Sequence, residues 1–198
     1  MVGNVIKITI FVGVTKNIVM AKKVLVLMSS ARKGANTDQM ADEFIRGAQE
    51  AGHEVEKIMV ARLNIKGCIG CRMCRTKGNR CVQKDDMADL YEKLLAADVV
   101  AFASPVYFYN VNAQMKLLMD RTFAIEPIFN NKKVYLITTG AAPVENYYEN
   151  IKMSFHNYIS CFQNMQENVI IGGGTMEKQD IQKNEAALKR CYEQGLQA

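Results

Sequence analysis

The chain has 198 residues and a formal net charge of +5, with 49% hydrophobic and 23% charged residues. This length predicts one domain with a substantial apolar core, and this composition excludes an intrinsically disordered chain. The mild charge, the absence of Trp and the lack of an apolar run of about 20 residues argue against nucleic-acid binding and against a membrane span.

Residues 1–21 are expected to be an extension, either disordered or added to the sheet as an edge strand, and residues 22–198 to form the domain. The apolar stretch of the extension is short, is interrupted by Lys7 and has no small-residue cleavage site after it, so a signal peptide is not expected. A cytoplasmic, reducing location follows. In that location clustered cysteines more often bind metal or carry out redox chemistry than form structural disulfides.

Strands and helices alternate along the domain. The first predicted strand is a short continuous apolar run, as expected for a strand that is buried on both faces of a parallel sheet. The pattern predicts one α/β domain, a flavodoxin-like doubly wound sheet of five parallel strands in the order 2-1-3-4-5, with helices on both faces. The predicted strands are 23–28, 54–60, 98–104, 133–139 and 168–173.

The predicted helices have apolar residues at helical spacing. Asn36 is expected to cap the first helix, and Gly52 to end it. Further helices are predicted after Asp85–Asp86, across 112–123, through about 145–165 and from about Asp180 to the end of the chain.

Ligands of such sheets bind beyond the carboxyl ends of the strands, which makes the loop 29–37, SSARKGANT, the first candidate. A phosphate there would meet free amides and the positive end of the helix dipole. Ser30, Asn36 and Thr37 could donate hydrogen bonds, and Arg32 a charge-assisted one. The glycine spacing matches neither a Walker loop nor GxGxxG, and a plain polar turn before a capped helix is the alternative.

Two further loops follow the third and fourth strands. The loop 104–110, SPVYFYN, has three adjacent aromatic residues, which suit a planar heterocycle. The loop 138–143, TTGAAP, is small enough to let the backbone approach a ligand closely. Three such loops at neighbouring strand ends predict one ligand site more strongly than any of them alone.

Four of the six cysteines lie within fourteen residues, CIGCRMCRTKGNRC, at the spacing C-x2-C-x2-C-x6-C. Three glycines in and beside the segment favour a loop, 66–84, over a helix. Zinc sites usually consist of two separate C-x-x-C pairs, whereas evenly spaced cysteines are closer to a ferredoxin run, although the last gap is longer and no proline follows. An iron–sulfur cluster is therefore preferred, then zinc, then redox-active thiols. The candidate ligands are Cys68, Cys71, Cys74 and Cys81.

The loop SSARKGANT resembles the phosphate loop of the NADPH-dependent FMN reductase family, and SPVYFYNVNAQMKLLMDR resembles its flavin-facing segment. Ser29 and Ala31 depart from the glycine and proline that the family often has. The resemblance implies that Ser30, Arg32, Asn36 and Thr37 hold the phosphate of FMN. It also implies that the ring is lined by Ser104, Pro105, Val106, Tyr107, Phe108, Thr139, Gly140 and Ala141.

Together with the cysteines and the following DDM, the chain resembles the iron–sulfur flavoproteins of anaerobic archaea and bacteria. That resemblance implies a 4Fe–4S cluster on the four cysteines and electron exchange with FMN across the interface of a homodimer or homotetramer. The expected function is a redox protein that passes electrons between the cluster, FMN and a small-molecule acceptor. No acid–base pair stands out, so no catalytic side chain is predicted.

Five cations surround the cysteines and are called the basic collar. It is predicted to dock an acidic donor, such as ferredoxin, by electrostatic steering, although a solvated loop or screening of the negative charge of the cluster explains it equally well. Two alternative functions stay open: a cluster-free NAD(P)H-dependent flavin or quinone reductase, and a zinc-binding interaction module on a flavodoxin-like scaffold. The basic collar consists of Arg72, Arg75, Lys77, Arg80 and Lys84.

Overall fold

The computed structural model describes residues 20–198, so most of the expected N-terminal extension, residues 1–19, lies outside the described part of the chain. The described strands form one sheet. They are β1 Lys23–Met28, β2 Glu54–Met59, β3 Val99–Tyr107, β4 Asn110–Val111, β5 Lys133–Thr139 and β6 Gln166–Gly172.

The sheet order is β2-β1-β3-β5-β6, and all four of these pairings are parallel. The short β4 pairs antiparallel with the end of β3 and adds a hairpin outside the main order. Counting only the parallel strands gives 2-1-3-4-5, so the predicted flavodoxin-like architecture is confirmed.

Helices cover both faces of the sheet. They are α1 Asn36–Glu50, α2 Met73–Thr76, α3 Met87–Ala96, α4 Ala113–Arg121, α5 Glu149–Ile159 and α6 Glu185–Leu196. One apolar core lies between the sheet and α1 and α6, and the other between the sheet and α3, α4 and α5.

The pair α1 and α6 packs with its backbones nearly in contact. A Cβ atom on Gly47 would lie 2.1 Å from the carbonyl oxygen of Tyr192, and one on Gly195 would lie 2.1 Å from that of Phe44. Glycine is therefore required on both helices at this crossing.

Two helix predictions differ from the structure. The N-cap of α1 is Ala35, and Asn36 is the first helical residue, so the predicted capping by Asn36 is wrong. The closing helix begins later than predicted, because Asp180–Lys183 forms a 3-10 turn before α6. Within residues 20–198, none of the helices has the length and apolar character needed to cross a membrane.

Candidate functional site

The carboxyl ends of β1, β3 and β5 lie side by side, and this brings the three candidate loops to one edge of the sheet. Met28 of β1 pairs with Ala103, and Pro105 of β3 pairs with Thr139. The hydroxyl oxygens of Thr37 and Thr139 lie 2.5 Å apart, which joins the first loop directly to the third. The structure thus places the predicted phosphate loop beside the predicted ring-lining loops.

The loop after β1 is held by side chains that bond to its own backbone. The amide of Arg32 donates to Oγ of Ser30 at 3.2 Å, and the amide of Gly34 donates to Oδ2 of Asp38 at 2.7 Å. The first amides of α1 have no intrahelical acceptor and carry the positive end of the helix dipole. With the exposed Arg32 nearby in the chain, the loop offers several donors to an anion.

Asn36 is buried, and its side chain is engaged elsewhere in the fold. Its Nδ2 donates to the carbonyl oxygen of Glu177 at 2.8 Å, and its Oδ1 accepts from the amide of Ile181 at 3.1 Å. Asn36 therefore fastens the segment after β6 to the start of α1. A contact between Asn36 and a phosphate stays a prediction, and Ser30, Thr37 and Arg32 are the other candidates for that role.

The segment SPVYFYN forms a hairpin instead of the predicted loop. Strand β3 runs to Tyr107, and Val106 pairs with Val111 across the hairpin. The two connecting residues, Phe108 and Tyr109, both have positive φ angles, 48° and 64°. Positive φ at both central positions is the mark of a type I′ turn, which normally selects Asn and Gly. Two aromatic residues in this conformation, with Phe108 fully exposed, make the hairpin tip a candidate binding surface.

Ser104 is completely buried beneath the site and bonds to residues of neighbouring elements. Its Oγ accepts a hydrogen bond from the amide of Asn112 at 3.0 Å. Asn112 in turn donates to the carbonyl oxygen of Ser29 at 2.8 Å and caps α4 through the amide of Met115 at 3.2 Å. Sequence reasoning missed this role of Asn112, although its place directly before an amphipathic helix is a capping signal.

A cleft of about 570 Å³ lies between the hairpin tip and the loop after β5. A Cβ atom on Gly140 would lie 3.0 Å from the Tyr148 hydroxyl oxygen and 3.2 Å from Cβ of Val106, so any larger residue there would have to displace these side chains. The hydroxyl of Tyr148, which sequence reasoning also missed, lies 2.9 Å from the carbonyl oxygen of Gly140 and 2.8 Å from that of Ala142. Burial raises the pKa of Tyr148, so this hydroxyl stays a neutral donor at neutral pH. The lining residues are Val106, Phe108, Tyr109, Gly140, Ala141, Ala142, Pro143, Val144, Tyr147 and Tyr148.

The four clustered cysteines differ in their surroundings. Cys68 and Cys71 are exposed, Cys81 is partly exposed, and Cys74 is buried against the core; all four are free thiols. The glycines predict a loop over the whole segment, but Cys74 lies in a single helical turn, α2. The loop prediction is therefore only partly correct. Within the described residues, no three His, Cys, Asp or Glu side chains are grouped to hold a metal ion. The donors that iron requires are present, but they are not gathered around one point.

The base of the cysteine segment is fixed by a buried ion pair. Arg121 at the end of α4 donates from Nη1 to Oδ2 of Asp85 at 2.6 Å and from Nη2 to Oδ1 at 3.1 Å. Burial would raise the pKa of Asp85, but Arg121 and the amides of Lys66 and Met87 outweigh it, and the net pKa is lowered. Asp85, the first residue of the DDM sequence, is therefore the charged anchor of the segment.

The basic collar is only partly free. Arg75 donates from Nη2 to Oε2 of Glu126 at 2.6 Å, and its guanidinium carbon lies 4.0 Å from the ring centroid of Phe123. Arg75 thus fastens α2 to the segment after α4. The other four members of the basic collar are exposed: Arg72, Lys77, Arg80 and Lys84.

The sheet order, with helices on both faces, defines a flavodoxin-like α/β protein. The chain belongs to the NADPH-dependent FMN reductase family, whose model matches residues 22–155. This finding confirms the family that the sequence motifs indicate.

Several curated proteins named iron-sulfur flavoprotein are similar to this chain. One from Archaeoglobus fulgidus is 41% identical over 99 residues, which cover 50% of this chain and 44% of that protein. One from Methanosarcina thermophila is 36% identical over 100 residues, which cover 50% of this chain and 52% of that protein. The chain spans about half the length of the curated relatives it matches.

Solved structures share the fold at low identity. An NAD(P)H:quinone oxidoreductase from Methanothermobacter marburgensis superimposes with a TM-score of 0.73 at 19% identity, covering 89% of this chain and 95% of that one. An azoreductase from Bacillus anthracis gives a TM-score of 0.65 at 17% identity, covering 89% and 97%. These likenesses support the flavodoxin-like architecture.

Proposed function

We propose that the chain binds FMN at the carboxyl edge of the sheet and acts as a flavin-dependent oxidoreductase. The observation that carries this proposal is the meeting of three loops there, joined through Thr37 and Thr139, in a chain of the NADPH-dependent FMN reductase family. Ser30, Arg32 and Thr37, with the first amides of α1, would hold the phosphate. The ring would bind beside residues 105–108 and 139–141, several of which line the cleft between the hairpin tip and the loop after β5.

Bound FMN supplies one- and two-electron chemistry, and the protein supplies position and surroundings. The hairpin tip and the cleft beside it offer aromatic and small apolar surface that would shield the ring from water. The exposed aromatic tip also suits contact with a second copy of the chain, so we propose a homodimer or homotetramer.

We further propose that the four clustered cysteines hold a 4Fe–4S cluster. Their spacing, their free thiols and the printed names of the curated relatives support this. Thiolates are the usual ligands of such clusters. The four thiols would have to be brought together around the cluster, and Gly70, with a φ of 65°, lies between Cys68 and Cys71 in a conformation that glycine adopts readily.

In this proposal electrons pass between the cluster, FMN and a small-molecule acceptor. A ferredoxin-like protein is the proposed donor, because the basic collar presents exposed cations around the cysteines. No side chain of the site is assigned a proton-transfer role.

Within the described residues the thiols are not grouped around one point, and this favours one alternative, a cluster-free NAD(P)H-dependent FMN or quinone reductase. The other alternative is a zinc-binding interaction module, which would have the same flavodoxin-like fold but would bind no flavin. Anaerobically purified protein separates the three functions by its flavin, iron, acid-labile sulfide and zinc contents and its absorption spectrum. We expect flavin with iron and sulfide. Flavin without iron would support the reductase, and zinc without flavin would support the module.

A further inference from the structure

A buried carboxylate lies in the first turn of α1, where the phosphate of FMN would bind. Asp38 is 4% exposed, and its Oδ2 accepts a hydrogen bond from the amide of Gly34 at 2.7 Å. A carboxylate at this place stabilises the helix, but it also occupies an amide of the loop and repels a phosphate dianion. An anion therefore binds well at this turn only if the fold offsets the charge of Asp38.

The offsetting charge comes from β2. Nζ of Lys57 lies 2.6 Å from Oδ1 of Asp38 and 2.5 Å from Oδ1 of Asp42, which is one helical turn further along α1. Side chains alternate along a strand, and Val55 and Met59 pack against the core under α1 and α6, so Lys57 lies on the face of β2 that α1 covers. Burial would lower the pKa of Lys57, but its hydrogen bonds to Asp38 and Asp42 outweigh this effect and raise it. Lys57 therefore stays a cation at neutral pH.

We infer that Lys57 makes the site selective for a flavin that carries a phosphate, because it neutralises Asp38 at the start of α1. The inference rests on the proposed function, since it requires that FMN binds at this turn. Asp42 is 59% exposed, so solvent screens its charge, and Asp38 is the carboxylate whose charge acts on the turn. Lys57 acts through Asp38 and needs no contact with the flavin, and it is therefore a positioning residue.

The test varies the charge of this pair and compares FMN with riboflavin, which has the same ring but no phosphate. The charge of the pair is negative in Lys57→Met, zero in wild type and in the double variant Asp38→Asn/Lys57→Met, and positive in Asp38→Asn. Asp38→Asn keeps a side-chain oxygen that accepts from the amide of Gly34. Titrations followed by flavin fluorescence should show a Kd for FMN that rises at least about tenfold in Lys57→Met, returns to the wild-type value in the double variant and falls about threefold in Asp38→Asn. The Kd for riboflavin, which is uncharged, should change by less than about twofold throughout.

The control is Lys93→Met, which removes the same charge from the opposite face of β2. Lys93 on α3 pairs with Glu56 at 2.5 Å, and its loss should change neither Kd. Equal weakening of FMN and riboflavin in Lys57→Met, or no recovery in the double variant, would overturn the inference alone. If Lys57→Met does not fold, Asp38→Asn still decides, because FMN binding that is no tighter than in wild type contradicts the inference. Wild-type protein that binds no FMN would overturn the proposed function and the inference with it.

Discussion

Phe108 and Tyr109 occupy a region of backbone conformation that disfavours large side chains. Both have positive φ angles, and Phe108 is fully exposed, so no packing contact within the described fold offsets the strain at Phe108. The left-handed conformation costs a non-glycine residue about 1–2 kcal/mol. Exposed and strained aromatic residues are expected where they contact a ligand or another protein. The position of Phe108 and Tyr109 beside the cleft agrees with this expectation.

This strain can be measured by two substitutions at one position. Phe108→Gly should raise the free energy of unfolding by about 1 kcal/mol, because glycine adopts positive φ without strain. Phe108→Ala is the matched control, since it removes the ring but keeps the strain. The free energies of unfolding of the two variants are compared by urea titration of flavin-free protein, at the same protein concentration for both. Equal stabilities of the glycine and alanine variants would show that the turn is not strained.

Thr37 is the residue on which FMN affinity should depend most directly. Thr37→Val removes a donor at the start of α1 and leaves the buried hydroxyl of Thr139 without its partner at 2.5 Å. A hydrogen bond to a charged group contributes about 1.5–3 kcal/mol, so the Kd for FMN should rise at least about tenfold. Titration followed by flavin fluorescence measures this. Thr76→Val is the control, since Thr76 is exposed and bonds only locally to Met73.

At the scale of elements, the ion pair between Asp85 and Arg121 joins the cysteine segment and α3 to the end of α4. Both side chains are at most 1% exposed, so removing one partner leaves a buried charge uncompensated. Asp85→Asn should therefore lower the free energy of unfolding at pH 7 by about 3–5 kcal/mol.

The same pair predicts a pH dependence with a definite sign. The pKa of Asp85 in the folded state lies below its ordinary value of 3.8. The contribution of the ion pair is thus complete above that value and is lost as the pH falls through the lowered pKa. The stability difference between wild type and Asp85→Asn should shrink when urea unfolding is repeated below about pH 3.8. For the exposed Asp89→Asn on α3, the difference should stay small at every pH.

The elements themselves were largely predictable, because buried parallel strands and amphipathic helices leave strong periodic signals. What the sequence did not reveal is how side chains from distant elements meet. Asn36 looks like a cap but bonds to residues more than a hundred positions away. Arg75 looks like a free surface cation but pairs with Glu126. Such partners depend on the tertiary structure, and no local pattern encodes them.

At the scale of the whole molecule, the sheet order was predictable from alternation and handedness, and it placed the three candidate loops at one edge. The cysteine segment lies on the side of the sheet covered by α3, α4 and α5, whereas α1 and α6 cover the other side. This separation allows one face to be tested for partner docking with the opposite face as its control.

The exposed part of the basic collar should control how fast an acidic donor associates. Reversing two of its charges with Arg80→Glu and Lys84→Glu should slow reduction by ferredoxin about tenfold at low salt, because steering accelerates association by about 10- to 1,000-fold. The difference should vanish near 1 M salt, where the Debye length is about 3 Å. Lys189→Glu with Arg190→Glu on α6 changes the net charge equally on the opposite face and should leave the rate unchanged. Equal slowing by both pairs would mean that net charge, and not the basic collar, governs the encounter.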